Sequence, residues 1–249
     1  MDESHQIIKQ LEQLASPKIA EHSKRFFKTG KGEYGEGDEF YGIRVPELRK
    51  LVKRVFHVDI DTVLALLYHD YHETRLLAVL ILVTKYERSK TNEEKQSIAE
   101  LYVTHAKQVN NWDLVDSSCH KILGPHLFRT NAKLLYEFVE SDSIWLRRIA
   151  IITTYYFIKR DEFTHALSLA EKLLLDKQDL IHKAVGWMLR ELGKRNQKIE
   201  LQFLDQHYQQ MPRTMLRYAI EKLPEEQRQN YLKEKSNVKC RQKKNYFLL

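Results

Sequence analysis

Apolar residues recur at spacings of three and four residues along most of the chain. This spacing places them on one face of an α-helix. Alternating apolar and polar residues bounded by turn pairs, which would mark half-buried strands, do not occur in the sequence. The pattern predicts an all-α protein, and it is clearest in five segments: LRKLVKRVF (48–56), IDTVLALLYH (60–69), TRLLAVLILVTKY (74–86), WLRRIAIITTYYFI (145–158) and LIHKAVGWMLREL (180–192).

Four of the helical segments share a basic residue, an apolar pair and a central alanine. The alanines are Ala78, Ala150, Ala184 and Ala219, and the last three lie 34 and 35 residues apart. The stretch NNWDLVDSSCHKILG, with Ser117 in the alanine position, fills the longer first gap. Such a period in a helical chain is typical of an α-solenoid of HEAT-like or armadillo-type repeats, which has a concave groove. A chance alignment within an ordinary helical bundle is the alternative. We expect a single repeat domain over residues 1–232.

Glycines are rare outside one stretch, GKGEYGEGDEFYG at 30–42. The stretch lacks the lysine and hydroxyl residue that end a phosphate-binding P-loop. We expect it to be a mobile loop before RVPELRKL, in which Pro46 suits a first helical turn. Residues 233–249 are rich in Lys and Arg and break the helical pattern, which predicts a disordered basic tail. Such a tail could be solvated or could contact nucleic-acid phosphates.

Composition narrows the partners and the compartment. The 249 residues carry a formal net charge of +7, which favours a polyanionic partner. Cys119 and Cys240 lie far apart in sequence, so we expect no disulfide and a cytoplasmic, nucleoid-associated protein. The longest apolar run, 76–83, is too short to cross a membrane, and the amino-terminal residues do not resemble a secretory signal.

Several common chemistries find no support in the sequence. The histidines are scattered and the cysteines are unpaired, so we predict neither a metal nor a cofactor. A GxSxG motif is missing. Cys119 has only His120 as a neighbouring base, and on a helix His120 points about 100° away. Nucleophilic acyl chemistry is therefore not indicated.

The three tryptophans, Trp112, Trp145 and Trp187, fall in different repeats. Arg147 and Arg148 adjoin Trp145, and further cations surround Trp187. Aromatic rings with cations around them are typical of surfaces that bind nucleotides by stacking and phosphate pairing. Core packing is the alternative, which the apolar neighbours of Trp145 favour. For Trp112 and Trp187 the choice between core packing and a surface role stays open.

Two aspartates follow Trp112 in the same predicted helix. An acidic residue at a helix start can cap it or stabilise its positive end. We assign the capping role to Asp113. This leaves Asp116, one turn later, for another function.

Four segments of the chain together resemble the AlkD-like DNA alkylation repair glycosylases, whose fold is a solenoid of HEAT-like repeats. The segments are NNWDLVDSS, IWLRRIAI, IHKAVGWMLRE and MPRTMLRYAIEK. The resemblance covers about residues 40–230. It implies an active cleft formed by Trp112, Asp116, Arg148 and Trp187. The chain departs from the family at Asn111, where a second aromatic residue is expected, and at Phe26, where a tyrosine is expected. These differences bear on lesion preference more than on the reaction.

The resemblance implies hydrolysis of the N-glycosidic bond of N3- or N7-alkylated purines in duplex DNA, as in base excision repair. An alkylated purine already carries positive charge, so it leaves as a neutral base without a general acid. One carboxylate, Asp116, can then stabilise the cationic sugar and place the water. Trp112 and Trp187 would contact the deoxyribose and its flanking backbone, and Arg148 would anchor a phosphate or orient the carboxylate. The family is understood to act without a pocket for a flipped base.

Binding to DNA would be driven by side chains along the inner helices. The candidates for these contacts are Phe26, Arg44, Lys183, Arg190, Arg213 and Arg217. The binding is expected to depend strongly on salt. The resemblance also implies that the protein acts as a monomer.

Two other functions are kept as alternatives. One is a DNA-binding relative that recognises distorted duplex without cleaving the bond. The other is a HEAT scaffold whose basic surface binds an acidic protein. The presence of Asp116 with both tryptophans favours the enzyme, and the arginines near tryptophan disfavour the scaffold, for which an apolar groove is expected.

Overall fold

The computed structural model describes residues 3–233, so the basic segment predicted to be disordered lies, apart from Lys233, outside the described residues. The described residues form helices and no strand, and two compact units divide the chain between Asn131 and Ala132. The prediction of an all-α chain built from helical repeats is confirmed. The single domain over 1–232 and the concave groove stay predictions.

The first unit is built around a long apolar helix, α5, which packs against α3, α4, α6 and α7. A short 3-10 helix, Ala106–Gln108, precedes α7. The helices of this unit are α1 Glu3–Gln13, α2 Pro17–Phe26, α3 Val45–Val55, α4 Ile60–Leu67, α5 His72–Arg88, α6 Asn92–Thr104 and α7 Trp112–Arg129.

The second unit is built around α12, which packs against α9, α11, α13 and α14. A 3-10 helix, Ile220–Lys222, follows α14, and residues 225–233 are also helical. The helices of this unit are α8 Lys133–Val139, α9 Ile144–Thr153, α10 Tyr155–Ile158, α11 Thr164–Lys172, α12 Asp179–Arg195, α13 Gln197–His207 and α14 Arg213–Ala219.

The four central alanines of the repeat are all buried, as the alignment predicts; they are Ala78, Ala150, Ala184 and Ala219. Ser117 does not follow this rule, because it is partly exposed. The buried small residue of α7 is Ser118, whose hydroxyl lies 2.8 Å from the Tyr102 hydroxyl. The alignment is therefore one residue out of register in this helix, where the small residue forms a hydrogen bond to the neighbouring helix.

Two arginines repeat one structural role, one in each unit. Arg75 and Arg147 both stand three residues before a central alanine. Each donates through Nη1 to carbonyl oxygens five and six residues earlier, at 2.7 and 3.0 Å for Arg75 and 2.9 and 2.8 Å for Arg147. Each also pairs with an aspartate. These arginines satisfy carbonyl groups of the loop before the helix and so fix where the helix begins.

Gly186 shows why α12 and α14 can lie so close together. A Cβ atom at this position would stand 2.5 Å from both the Met215 carbonyl oxygen and the Tyr218 Cβ. These distances are far below ordinary van der Waals contact. The glycine beside Trp187 is thus required by packing.

Candidate active site

A cleft of about 1110 Å³ opens in the first unit, and its lining includes two of the four residues that the resemblance places in an active cleft, Trp112 and Asp116. Its apolar lining includes Ile19, Ile43, Leu76 and Leu80. The candidate residues that line the cleft are Phe26, Arg44, Trp112 and Asp116.

Trp112 is the first residue of α7 and is partly exposed. The side chain of Asn111 caps the helix by accepting a hydrogen bond from the Trp112 amide at 2.8 Å. Phe27 stacks on the indole with ring centroids 5.4 Å apart and an angle of 19°, while Phe26 meets it edge-on at 5.9 Å. Phe27 was not among the residues predicted from the sequence, although it adjoins Phe26 in a visible pair of phenylalanines.

Asp113 does not cap α7, which corrects the role assigned to it from the sequence. The cap is Asn111, and Asp113 lies in the first turn. One of its carboxylate oxygens accepts from the Leu114 amide at 2.9 Å, and the other lies 2.9 Å from Nε2 of His72. Asp113 therefore ties the start of α7 to the start of α5.

Asp116 lies one turn after Trp112, so both side chains share the face of α7 that lines the cleft. It is partly exposed, and Ser117 lies beside it in the same lining. Apolar residues of α5, Leu76 and Leu80, line the same cleft. A carboxylate in partly apolar surroundings interacts more strongly with a nearby positive charge than one in bulk water.

A buried polar network lies behind the cleft and was not foreseen from the sequence. His72 is 1% exposed and places Nε2 at 2.9 Å from Asp113 and Nδ1 at 3.4 Å from Asp38. Asp38 also accepts hydrogen bonds from Arg75 at 2.5 Å and from Asn111 at 2.8 Å. The network joins the loop before α3 to α5 and to α7.

Charge determines the protonation state within this network. Burial lowers the pKa of His72, but attraction to Asp113 and hydrogen bonds to both aspartates outweigh it and raise that pKa to about 9. Burial raises the pKa of Asp38, but His72, Arg75 and Asn111 outweigh it and lower the value overall. At neutral pH the imidazole is therefore protonated and donates from both nitrogens.

The second half of the glycine-rich stretch is fixed by Glu73, contrary to the expectation of a mobile loop. Its buried carboxylate accepts from the amides of Tyr41, Gly42 and Ile43 at 3.0, 2.8 and 3.0 Å. Gly42 has a φ of 81°, and a Cβ atom there would lie 2.3 Å from the Ser16 carbonyl oxygen. The loop thus holds a defined path up to Arg44. Pro46 lies in the first turn of α3, as predicted.

Arg148 and Trp187 belong to the second unit. Arg148 is 5% exposed, and its Nη1 donates to the Leu180 carbonyl oxygen at 2.5 Å. Trp187 is partly exposed and donates through Nε1 to Glu191 at 3.1 Å. Its ring lies 5.8 Å from that of Tyr155. Burial makes Arg148 a structural anchor of α12 within this unit.

Trp145 differs from its sequence interpretation. The apolar neighbours favoured a core position, but the side chain is partly exposed. The neighbouring residues Arg148, Ile149 and Ala150 are the ones that are buried. The helix therefore turns its second half, and not Trp145, into the core.

Two of the predicted DNA-binding cations take part in ion pairs within the second unit. Lys183 Nζ lies 2.8 Å from the Asp179 carboxylate. Arg190 pairs with Glu221. A DNA phosphate would have to compete with these carboxylates for the cations.

The other predicted DNA contacts differ in exposure. Arg213 is partly exposed and donates to the Leu232 carbonyl oxygen at 3.1 Å. Arg217 and Arg44 are exposed, and Phe26 is 57% exposed. Arg44 lines the cleft of the first unit, as do the exposed cations Lys18 and Arg49, which were not predicted as DNA contacts.

The part of the chain that the structure describes holds no group of three or more His, Cys, Asp or Glu side chains placed to bind a metal ion. Within residues 3–233, no helix combines the length and apolarity needed to cross a membrane.

Comparisons with known proteins place the chain in a family. A solved structure described as a predicted DNA alkylation repair enzyme from Enterococcus faecalis is similar to it, with a TM-score of 0.65 and 18% identity over 85% of this chain and 97% of that chain. At this identity the likeness shows the fold alone. No curated protein matches the chain. The model of a family described as DNA alkylation repair enzyme matches residues 7–223, which confirms the resemblance seen in the motifs. The chain belongs to the DNA alkylation repair enzyme family.

Proposed function

We propose that the protein is a DNA glycosylase that hydrolyses the N-glycosidic bond of N3- and N7-alkylated purines in duplex DNA. Family membership supports a role in DNA repair. The observation that carries the finer proposal is the cleft of the first unit, where Asp116 and Trp112 line one face of α7. An aromatic ring and a carboxylate one turn apart suit a cationic sugar and the water that attacks it.

The reaction needs little besides this carboxylate. The bond between C1′ and the purine nitrogen breaks, and the bonding electrons neutralise the positive charge of the alkylated base. Positive charge then develops on the sugar, where the Asp116 carboxylate stabilises it. A water molecule adds to C1′, and Asp116 accepts its proton as the new bond forms. We propose no metal and no cofactor for these steps.

The remaining candidates bind the DNA around the lesion. Trp112 contacts the deoxyribose through its ring face, with Phe27 stacked behind the indole at 5.4 Å. Trp187 has the same role in the second unit. Arg148 is buried and donates to the Leu180 carbonyl oxygen, so it supports Trp187 by fixing the start of α12 rather than by contacting a phosphate. Arg44 contributes an exposed charge at the cleft. Such phosphate contacts make binding strongly dependent on salt.

The test is release of 7-methylguanine from methylated duplex DNA by the purified protein. We expect release by the wild type and a loss of at least about 100-fold in Asp116→Asn, because the neutral amide neither stabilises the cation nor accepts the proton. Asp61→Asn is the matched control, since Asp61 is an exposed acid of the same unit in α4. It should retain the wild-type rate.

A binding function without cleavage would give a different result. The wild type would bind the methylated duplex and release no base above background. Asp116→Asn would then bind as the wild type does. That outcome would replace the glycosylase proposal with a module that recognises damaged DNA.

A further inference from the structure

We propose that His72 is a positioning residue for the reaction, which holds Trp112 and the start of α7 in place from behind the cleft. This inference rests on the proposed function for its kinetic effect. His72 does not line the cleft and touches no substrate in this proposal. It acts through two contacts, one to Asp113 and one to Phe27.

The first contact fixes the helix that carries the candidate residues. His72 Nε2 lies 2.9 Å from Asp113, which is the neighbour of Trp112 in the first turn of α7. Asp116 follows one turn later on the same helix. A shift at Asp113 would therefore move both Trp112 and Asp116, because a helix transmits displacement as a rigid body.

The second contact fixes the ring behind the indole. Phe27 lies 4.6 Å from the His72 ring and 5.4 Å from the Trp112 ring. Phe40 stacks on His72 at 4.7 Å and on Phe27 at 5.1 Å. The imidazole, two phenylalanines and the indole thus form one continuous packed series that ends at the cleft.

Neighbouring charges explain why a histidine suits this place. Asp38, from the loop before α3, and Asp113, from α7, accept from opposite ring nitrogens. Both bonds need a proton on each nitrogen, which only the imidazolium supplies. On its own helix, Arg75 reaches the site through Asp38 at 2.5 Å. Removing the imidazolium would leave two partly buried carboxylates with one cation.

The kinetic test uses His72→Gln under single-turnover conditions with methylated duplex DNA. We expect the rate of base release to fall by about 10- to 100-fold, because small misplacements of catalytic groups cost that much. DNA affinity should stay within about twofold, since no phosphate contact is lost. The matched control is His165→Gln, which removes a histidine bonded to Tyr136 at 2.9 Å in the second unit. It should leave the rate unchanged.

A second variant covers the case in which His72→Gln does not fold. Asp113→Asn keeps the shape of the side chain and weakens its hydrogen bond with His72. It should lower the rate by a similar factor, and a double variant should lose little more than either single variant, because both changes break one interaction. Additive losses, or a loss of DNA affinity equal to the loss of rate, would overturn the proposal.

The pH profile separates positioning from a merely structural role. The wild-type rate should fall as pH rises through about 9, where His72 loses its proton. His72→Gln should lack this step. A step that persists in the variant would argue against His72 as its source.

Fluorescence tests the positioning without any activity. In a Trp145→Phe, Trp187→Phe background the emission reports Trp112 alone, since the chain has three tryptophans. Adding His72→Gln should shift emission to longer wavelength and increase quenching by acrylamide, whereas adding His165→Gln should do neither. An unchanged spectrum would overturn the inference. A shifted spectrum, together with a wild-type protein that releases no base, would uphold the positioning and reject the glycosylase function.

Discussion

Each unit has a tryptophan followed one helical turn later by an acidic residue, and the two pairs have different surroundings. Trp112 and Asp116 both line the cleft of the first unit. In the second unit, Glu191 accepts a hydrogen bond from Trp187 at 3.1 Å and pairs with Lys194 at 2.6 Å. The same spacing thus places one acid at a cleft and neutralises the other in ion pairs.

The comparison shows that the same spacing from a tryptophan places the two carboxylates in different locations, one in a cleft lining and the other in an ion pair. Glu191 has its negative charge balanced by Lys194 and lies 3.7 Å from Arg190 as well. A carboxylate balanced in this way has little charge to offer a developing cation. Asp116 is a partly exposed residue of the cleft lining, where a bound substrate can approach its carboxylate.

The largest expected difference is between the two acids in activity. Asp116→Asn should lower base release by about 100- to 1000-fold, as loss of a stabilising group in a transition state does. Glu191→Gln should lower it by less than about tenfold, because it removes the ion pair with Lys194 but keeps an oxygen that can accept the hydrogen bond from Trp187. Single-turnover rates on the same methylated duplex compare the two. Equal losses would contradict the distinction between the units.

The next effect concerns stability, and it compares one buried group with a raised pKa from each unit. Burial raises the pKa of Glu200 to about 8, with its carboxylate packed against Gly193. Glu200 is therefore neutral in the folded state, and its stabilising contribution is present below pH 4.5 and lost as pH rises through 8. For His72, whose pKa is raised to about 9, the contribution is present below pH 6.5 and lost as pH rises through 9.

Urea unfolding from pH 5 to 9 measures both contributions. Each pKa unit corresponds to about 1.4 kcal/mol, so the wild type should lose a few kcal/mol over this range. Glu200→Gln should lose less, since an amide does not ionise. Glu171→Gln, at an exposed site on α11, should follow the wild-type curve. A Glu200→Gln curve parallel to the wild type would show that Glu200 ionises normally.

A smaller effect should distinguish the cations of the two units. Arg44 is exposed at the cleft, whereas Lys183 is paired with Asp179 at 2.8 Å. Arg44→Ala should reduce the slope of log affinity against log salt by about one, as the loss of one phosphate contact does. Lys183→Ala should change the slope by less, because Asp179 already neutralises part of its charge. Fluorescence anisotropy with duplex DNA at several salt concentrations gives both slopes. A larger change for Lys183→Ala would reverse this assignment.

The sequence predicts the helices and the repeat well because both depend on local spacing. Burial of Ala78 and its three counterparts follows from helical period alone. The resemblance of NNWDLVDSS to the family pointed to Trp112 and Asp116, which both line the cleft of the first unit, and their roles in a reaction stay predictions. The register of Ser117 was wrong by one residue, since the hydroxyl of Ser118 forms a hydrogen bond with Tyr102 that spacing does not reveal.

The network behind the cleft could not be predicted from local patterns. Asp38, His72 and Asp113 are separated by 34 and 41 residues, and only the packing of three elements brings them together. Glu73 contacts the glycine-rich loop across a long sequence separation, so local patterns predicted a mobile loop there. The glycine content of the loop does not reveal that a distant buried carboxylate accepts hydrogen bonds from three backbone amides. Long-range polar contacts are the part of the site that requires the fold.

The smallest expected effect is at Phe26, where the family resemblance expects a tyrosine. Phe26 is 57% exposed and meets Trp112 edge-on at 5.9 Å, whereas Phe27 stacks on the indole. Adding a hydroxyl in Phe26→Tyr changes neither contact, and surface substitutions usually change stability by less than about 0.5 kcal/mol. Release of 7-methylguanine and of 3-methyladenine should each change by less than about threefold. Phe128→Tyr, 43% exposed at the far end of α7, is the control. A change above tenfold for one lesion only would make Phe26 a determinant of lesion choice. The exposed ring of Phe26, at the edge of Trp112, would then be more important than the Phe27 ring that stacks on the indole.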